Sequence, residues 1–183
     1  MDEMDEEERF EEDERVVRAH ELFQRAYDLQ QAGKFAAAIG LYKESIETYP
    51  TAEAHTFLGW TYSFQGRLDE AIGECQRAIE VDPDFGNPYN DIGVYLMQKG
   101  QLDEAVPWLE KAKEAPRYEP RQFPYLNLGR IRMAKGQWLE ALKEFEQAVE
   151  IMPDDAGARR TLAALRARFN GHNVVSIAPS SGA

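Results

Sequence analysis

The sequence predicts an all-α fold of stacked helix-turn-helix repeats, and three observations carry that prediction. Gly33, Gly66, Gly100 and Gly136 stand 33, 34 and 36 residues apart. Each is followed five residues later by an alanine: Ala38, Ala71, Ala105 and Ala141. Around the glycines the apolar residues recur at helical spacing, as in Ala71, Ile72, Cys75, Ala78 and Ile79, the pattern of a helix with one buried face. A fixed period in this range marks a repeat array, which stacks its units into a core and offers a long surface.

The repeats follow in order. The first, residues 19–51, is weak at its start, with Leu22, Arg25-Ala26 and Leu29, and recovers at Gly33, Ala38, Tyr42 and Pro50. The second, residues 52–85, is the cleanest, with His55, Leu58-Gly59, Tyr62, Gly66, Ala71, Cys75, Ala78 and Pro83. The third, residues 86–121, has Tyr89, Ile92-Gly93, Leu96, Gly100, Ala105, Leu109 and Ala112. The fourth, residues 122–155, has Tyr125, Leu128-Gly129, Arg132, Gly136, Ala141, Phe145, Ala148 and Pro153.

Each glycine can take the left-handed conformation that ends a helix and turns the chain back. Ala26, Gly59, Gly93 and Gly129 are small enough to let the two helices of a pair approach closely, and the alanines do the same from the second helix. Pro50, Pro83 and Pro153 stop the second helices. Asp69-Glu70 and Asp103-Glu104 place negative charge where a helix begins. Pro107 falls early in a second helix, where proline costs least. Residues 115–124 hold three prolines and two extra positions, so this joint is expected to be longer and stiffer than the others. It reads as a tolerated insertion or, alternatively, as a place where Tyr118 and Phe123 extend a binding rim.

The ends differ from the array. Residues 1–15 hold ten Asp or Glu against Arg9 and Arg15, an acidic tail expected to be disordered or a frayed helix. The repeat domain is expected over 16–169. Asp154-Asp155 can cap a last helix at 156–169, with Leu162 and Leu165 turned back to cover the end repeat. That helix carries Arg159, Arg160, Arg166 and Arg168 and no acid. Residues 170–183 are polar and small and are expected to be disordered.

Composition narrows the function. The net charge is −12, of which −8 belongs to residues 1–15. Phosphates repel such a chain, which argues against nucleic acid and against an anionic membrane as partners. Cys75 is the one cysteine, so no internal disulfide can form, which suits a reducing compartment. No apolar run approaches the roughly 20 residues of a membrane helix, and the start is unlike a secretory signal. The expected location is cytoplasmic. His20, His55 and His172 have no metal-type spacing. His55 and Cys75 stand where packing aromatics would, so both are expected to be structural. No phosphate loop, metal motif or nucleophile elbow occurs. No catalytic residue, metal or cofactor is expected, and the protein is not expected to be an enzyme.

The succession of an aromatic, Leu-Gly, Tyr, Ala, a second aromatic and Pro resembles the tetratricopeptide repeat family over roughly residues 19–155. The resemblance implies a right-handed α-α superhelical solenoid whose first helices line a concave groove that binds peptides. Helical spacing then nominates the residues on that face: Phe23 and Tyr27; Glu53, Thr56, Trp60 and Phe64; Asn90, Asp91 and Met97; Leu126, Asn127, Arg130 and Met133; and Arg160 at the end. Aromatics and methionine suit an interface. Asn90 and Asn127 can hold a peptide backbone, and Asn127 matches the asparagine ladder of some family members, while Asp91 interrupts it. Arg130 and Arg160 can take a carboxylate. The alternative for any of the aromatics is packing between neighbouring pairs. Phe23 and Tyr27 stand where chaperone-tail-binding members carry Lys and Asn, which argues against that ligand.

The leading expectation is a non-enzymatic adaptor that binds a peptide or helix of a partner protein in the groove. The alternative is a secretion-type or assembly chaperone that keeps an aggregation-prone client soluble; the segment Glu119-Pro-Arg-Gln-Phe-Pro is similar to such proteins. A third reading folds the acidic tail onto Arg159–Arg168 or onto the groove. Pairing with a second copy through the exposed face of the first repeat, a homo-oligomer, stays open.

Overall fold

The computed structural model describes residues 6–175, with side chains described over 8–169. The described residues form nine helices: α1 (Glu6–Gln31), α2 (Phe35–Thr48), α3 (Ala52–Phe64), α4 (Leu68–Val81), α5 (Asn87–Gln98), α6 (Leu102–Glu114), α7 (Gln122–Ala134), α8 (Trp138–Ile151) and α9 (Ala156–Val175). The fold is the expected all-α helical repeat. The chain divides into two compact units, Met1–Tyr118 and Glu119–Ala183.

In the first unit, α1 pairs with α2, α3 with α4 and α5 with α6, and each hairpin stacks on the next through α2 against α3 and α4 against α5. The turn between paired helices has one mechanism. At Gly66 the backbone swings to φ +72°. Gly66 N–H then donates to the Ser63 carbonyl at 3.0 Å, and Arg67 N–H reaches back to the Tyr62 carbonyl at 3.1 Å. This double closure satisfies carbonyls that the helix end would otherwise leave bare. Gly33, Gly100 and Gly136 repeat it, with φ between +71° and +76°.

The pairs touch closely where the sequence places small residues. A Cβ added at Gly59 would lie 2.9 Å from the Ala71 carbonyl oxygen and 3.3 Å from Cys75 Sγ. Ala38, Ala71 and Ala105 are fully buried. Cys75 is a buried free thiol whose pKa burial pushes up, an inert core residue as expected. His55 is buried too, with Nδ1 2.8 Å from Glu74 Oε2.

Two expectations about this unit change. Pro107 stands in the second turn of α6, not the first. There it removes a hydrogen bond to the carbonyl of residue 103, yet α6 continues, with Pro107 on its exposed side. Tyr118 is not on a rim: it is 3% exposed and lies against the backbone of Gly86, where an added Cβ would be 2.4 Å from Tyr118 Cβ. The segment leading to it is pinned to the end of the second repeat. Gly86 N–H donates to the Arg117 carbonyl at 2.7 Å, and Arg117 N–H to the Asp84 carbonyl at 3.0 Å. The Arg117 guanidinium bonds Asp82 and lies over the Phe85 ring at 5.2 Å.

In the second unit, α7 pairs with α8, and α9 packs on α8. Its core is Leu126, Ala141, Phe145, Ala148, Ala158, Leu162 and Leu165. Asp155 caps α9, its Oδ1 accepting from Ala158 N–H at 2.9 Å, and Leu162 and Leu165 turn inward as expected. Phe123 is exposed.

The ends are more helical than the sequence suggested. Residues 6–15 are the first turns of α1, and α9 runs on to Val175, beyond the expected end at Phe169. Residues 6–15 thus take the helical alternative. Residues 1–5 and 176–183, covered by the remaining tail expectations, lie outside the described residues.

Candidate functional site

On the first unit, α1 offers Phe23 and Tyr27 one turn apart, and α3 offers Phe57, Trp60 and Phe64 at helical spacing. The structure brings them into one aromatic cluster. Phe57 is its hub: its ring lies 5.3 Å from Phe23, 5.7 Å from Tyr27 and 5.7 Å from Trp60, in edge-to-face arrangements. These are the favoured geometries for ring quadrupoles. Trp60 continues to Phe64 at 5.4 Å, and Phe64 stacks on Phe35 of α2 at 5.2 Å. Beneath them Tyr42 is fully buried and donates to Gln30 Oε1 at 2.7 Å.

The cluster is graded in exposure. Phe23, Tyr27, Phe35 and Phe57 are half-buried, whereas Trp60 is 39% and Phe64 53% exposed. So the packing alternative holds for the inner rings, and Trp60 and Phe64 stand out to solvent. At its other end the cluster opens into a pocket of about 320 Å³ lined by Val16, Ala19, His20, Phe23, Ser45, Thr51 and Glu53. Phe23 belongs to both, so pocket and aromatics form one apolar track along α1 and α3. Thr56 is buried, its hydroxyl donating to the Ala52 carbonyl at 2.7 Å.

On α5, Asn90 is buried and its amide donates to Asp91 Oδ1 at 3.4 Å. Asp91 is half-buried, and burial pushes its carboxyl up to about 7, against the opposing pull of the Asn90 bond. Met97 is half-buried.

In the second unit, Asn127 is buried and its Oδ1 accepts from the exposed Arg130 guanidinium at 2.8 Å. The two polar groups nominated for a peptide backbone and a carboxylate are thus bonded to each other. Leu126 is a core residue and Met133 packs against that core. Arg160 is exposed on α9.

Sequence reasoning missed Phe57, Phe35 and, of the pocket residues on α1, Val16, Ala19 and His20. The signal for Phe57 was the density of rings in α3, where Phe57, Trp60, Tyr62 and Phe64 crowd one helix; spacing alone does not say which ring bridges to the neighbour. Among the described residues no group of His, Cys, Asp and Glu is placed to hold a metal, and no helix is long and apolar enough to cross a membrane.

Comparison with known proteins places this geometry. Family models described as tetratricopeptide repeat match residues 23–88, 64–120 and 123–155. A small glutamine-rich tetratricopeptide repeat-containing protein 2 of Mycosarcoma maydis is 30% identical over 103 residues, covering 56% of this chain and 29% of that protein. The mitochondrial import receptor subunit TOM70 of Rattus norvegicus is 26% identical over 135 residues, covering 71% of this chain and 21% of the receptor. The chain therefore spans less than a third of the length of these curated relatives. Among solved structures, PilF of Pseudomonas aeruginosa superposes with a TM-score of 0.79 at 20% identity, covering 86% of this chain and 71% of that one. YrrB, described as a TPR protein with an unusual peptide-binding site, gives 0.62 at 22% identity, covering 81% and 76%. These structural likenesses show the fold, an all-α helical repeat of the superhelical class. With nearly all of residues 23–155 matched, the chain belongs to the tetratricopeptide repeat family.

Proposed function

We propose that the protein is a non-enzymatic adaptor that binds a peptide or helix of a partner protein along the α1–α3 surface. Tetratricopeptide repeats are generally non-catalytic interaction scaffolds, and membership supports a protein partner. The observation that carries the finer reading is the graded aromatic track: exposed Trp60 and Phe64, anchored through Phe57, running by way of Phe23 into a pocket of about 320 Å³. Rigid aromatics held from below offer contact area at little entropic cost, which is where binding energy concentrates. The description of YrrB as carrying a peptide-binding site accords with this reading. Asn127 and Arg130, already bonded to each other, contribute less than their positions in the sequence suggested.

The test is affinity capture with crosslinking and mass spectrometry, comparing wild type with Trp60→Ala/Phe64→Ala. The expected result is at least a tenfold drop in the specific partner, with helicity unchanged. Equal capture by a folded variant would sink the reading. The chaperone alternative is told apart by the client, which would be insoluble alone and soluble on co-expression.

A further inference from the structure

We propose that two copies of this chain associate through unlike faces: the exposed face of the N-terminal half of α1 on one copy docks on the exposed face of α9 on another.

The first face is left bare by the geometry of the first hairpin. Ser45 on α2 donates to the Ala19 carbonyl at 2.8 Å, and Arg15 Nε donates to the carbonyl of Thr48, the last residue of α2, at 3.1 Å. The turns of α1 before Arg15 thus run past the end of α2. Phe10, before Arg15, is 63% exposed and Val17, just after it, 59%, and a shallow depression along this side of α1 is lined by Phe10, Asp13, Glu14, Val17, Arg18 and Glu21. Phe10 and Val17 stand seven residues apart on one side of the helix with charged residues around them, a small apolar contact surface rather than single scattered side chains.

The second face is the exposed flank of α9 beside α8; Leu162 and Leu165 of the same helix point into the core. A depression there is lined by Val149, Arg159, Leu162, Ala163, Arg166 and Ala167. Ala163 and Ala167 leave a shallow gap between arginines. Arg166 is exposed and already meets Glu146 at 2.9 Å, and Arg168 lies over Trp138 at 4.2 Å; Arg159 and Arg160 are exposed.

The two faces match in charge and spacing. Over residues 8–21 six acids face three arginines, whereas residues 156–169 carry four arginines and no acid. Two α1 faces would repel each other, as would two α9 faces, so only the mixed pairing is complementary. Glu14 and Glu21 are seven residues apart, as are Arg159 and Arg166, a rise of about 10.5 Å along either helix. Helices side by side can therefore set both acids against both arginines while Phe10 or Val17 enters the gap at Ala163 and Ala167, as a knob enters a hole. Because each chain carries both faces, every copy is a ready partner for every other. Unlike faces of this kind close into a ring or dimer, or grow into a chain.

The experiment is sedimentation velocity on the full chain over a hundredfold range of concentration, at low and high salt. The weight-average mass should rise with concentration at 50 mM salt, and at 500 mM the self-association should weaken at least tenfold. Glu14→Arg/Glu21→Arg and Arg159→Glu/Arg166→Glu should each stay monomeric. Mixing the two variants should restore a complex, because the reversed charges again oppose each other; recovery in the mixture also shows that both variants fold. A wild type that stays monomeric at every concentration overturns the proposal, including the case where charge reversal changes only its hydrodynamic radius and so reports an intramolecular contact. So does association that survives either variant, or a mixture that fails to recover.

Discussion

His55 on α3 and Glu74 on α4 face each other across the second hairpin at 2.8 Å, both withdrawn from solvent, and the exposed Arg77 bonds the other carboxylate oxygen. Burial by itself would raise the Glu74 carboxyl; the His55 hydrogen bond and the Arg77 charge together outweigh it and hold the carboxyl below its usual range. A depressed carboxylate stabilises the fold above its unfolded-state pKa, and that contribution is lost as pH falls through the folded value. His55→Ala should leave one oxygen of the buried carboxylate without its hydrogen bond while Arg77 keeps the other, and destabilise by about 1–3 kcal/mol at pH 7. Replacing both partners with apolar residues of similar volume should cost far less, because no orphan remains. Urea unfolding of the single and double variants checks this.

Asp91 has the opposite sign. Its carboxyl sits at about 7, raised from 3.8 by burial. Between those values the folded chain keeps a proton that the unfolded chain has released, so this group's contribution falls as pH rises from about 4 to 7 and is least favourable above 7. Asp91→Asn should remove that slope. Allowing for the partial exposure of the site, it should stabilise by about 1–2 kcal/mol at pH 8, with little difference from wild type near pH 4. Urea midpoints measured across that range test the sign directly.

The aromatic track should separate stability from recognition. Phe57→Ala removes the ring that joins α1 to α3 and should cost about 2–4 kcal/mol. Phe64→Ala removes a ring that is 53% exposed and should cost under about 1 kcal/mol, while Trp60→Ala, 39% exposed and packed edge-on against Phe57, should fall between the two. Thermal unfolding ranks the three. Comparable losses at Phe57 and Phe64 would contradict the hub geometry.

Two glycines should fail in different ways. At Gly66 an added Cβ meets nothing within 4 Å, but φ is +72°, so Gly66→Ala should cost about 1–2 kcal/mol from backbone strain alone. At Gly59 the backbone is helical, but the added Cβ would lie 2.9 Å from the Ala71 carbonyl. Gly59→Ala must push α3 and α4 apart, at a cost of about 1–3 kcal/mol. Gly66→Asn, which tolerates left-handed backbone, should recover part of the Gly66 loss, while no larger residue should rescue Gly59. Chemical denaturation of the set distinguishes the mechanisms.

The scaffold was legible in the sequence because its devices are local. A left-handed turn favours one residue without a Cβ, and Gly33, Gly66, Gly100 and Gly136 supply it at a readable period. Close helix pairing needs small residues at fixed helical offsets, and Gly59 with Ala71 meets that need within one hairpin. His55 and Cys75 were legible as core by substitution into aromatic positions. The surface was less legible. Spacing places Phe57 and Trp60 on neighbouring faces of α3, but only the angle at which α3 meets α1 makes Phe57 the hub and leaves Trp60 outside. The same holds for Tyr118, drawn onto Gly86 by backbone bonds across 31 residues of chain; Asn127 differs, because the Arg130 that takes its acceptor stands three residues on in the same helix. Backbone conformation and the period of buried positions are properties of nearby residues, so the sequence alone determined the repeats. Which side chain meets which neighbour across the fold depends on helix crossing and close packing between distant segments, so only the tertiary structure decided which rings this protein buries and which it leaves at the surface.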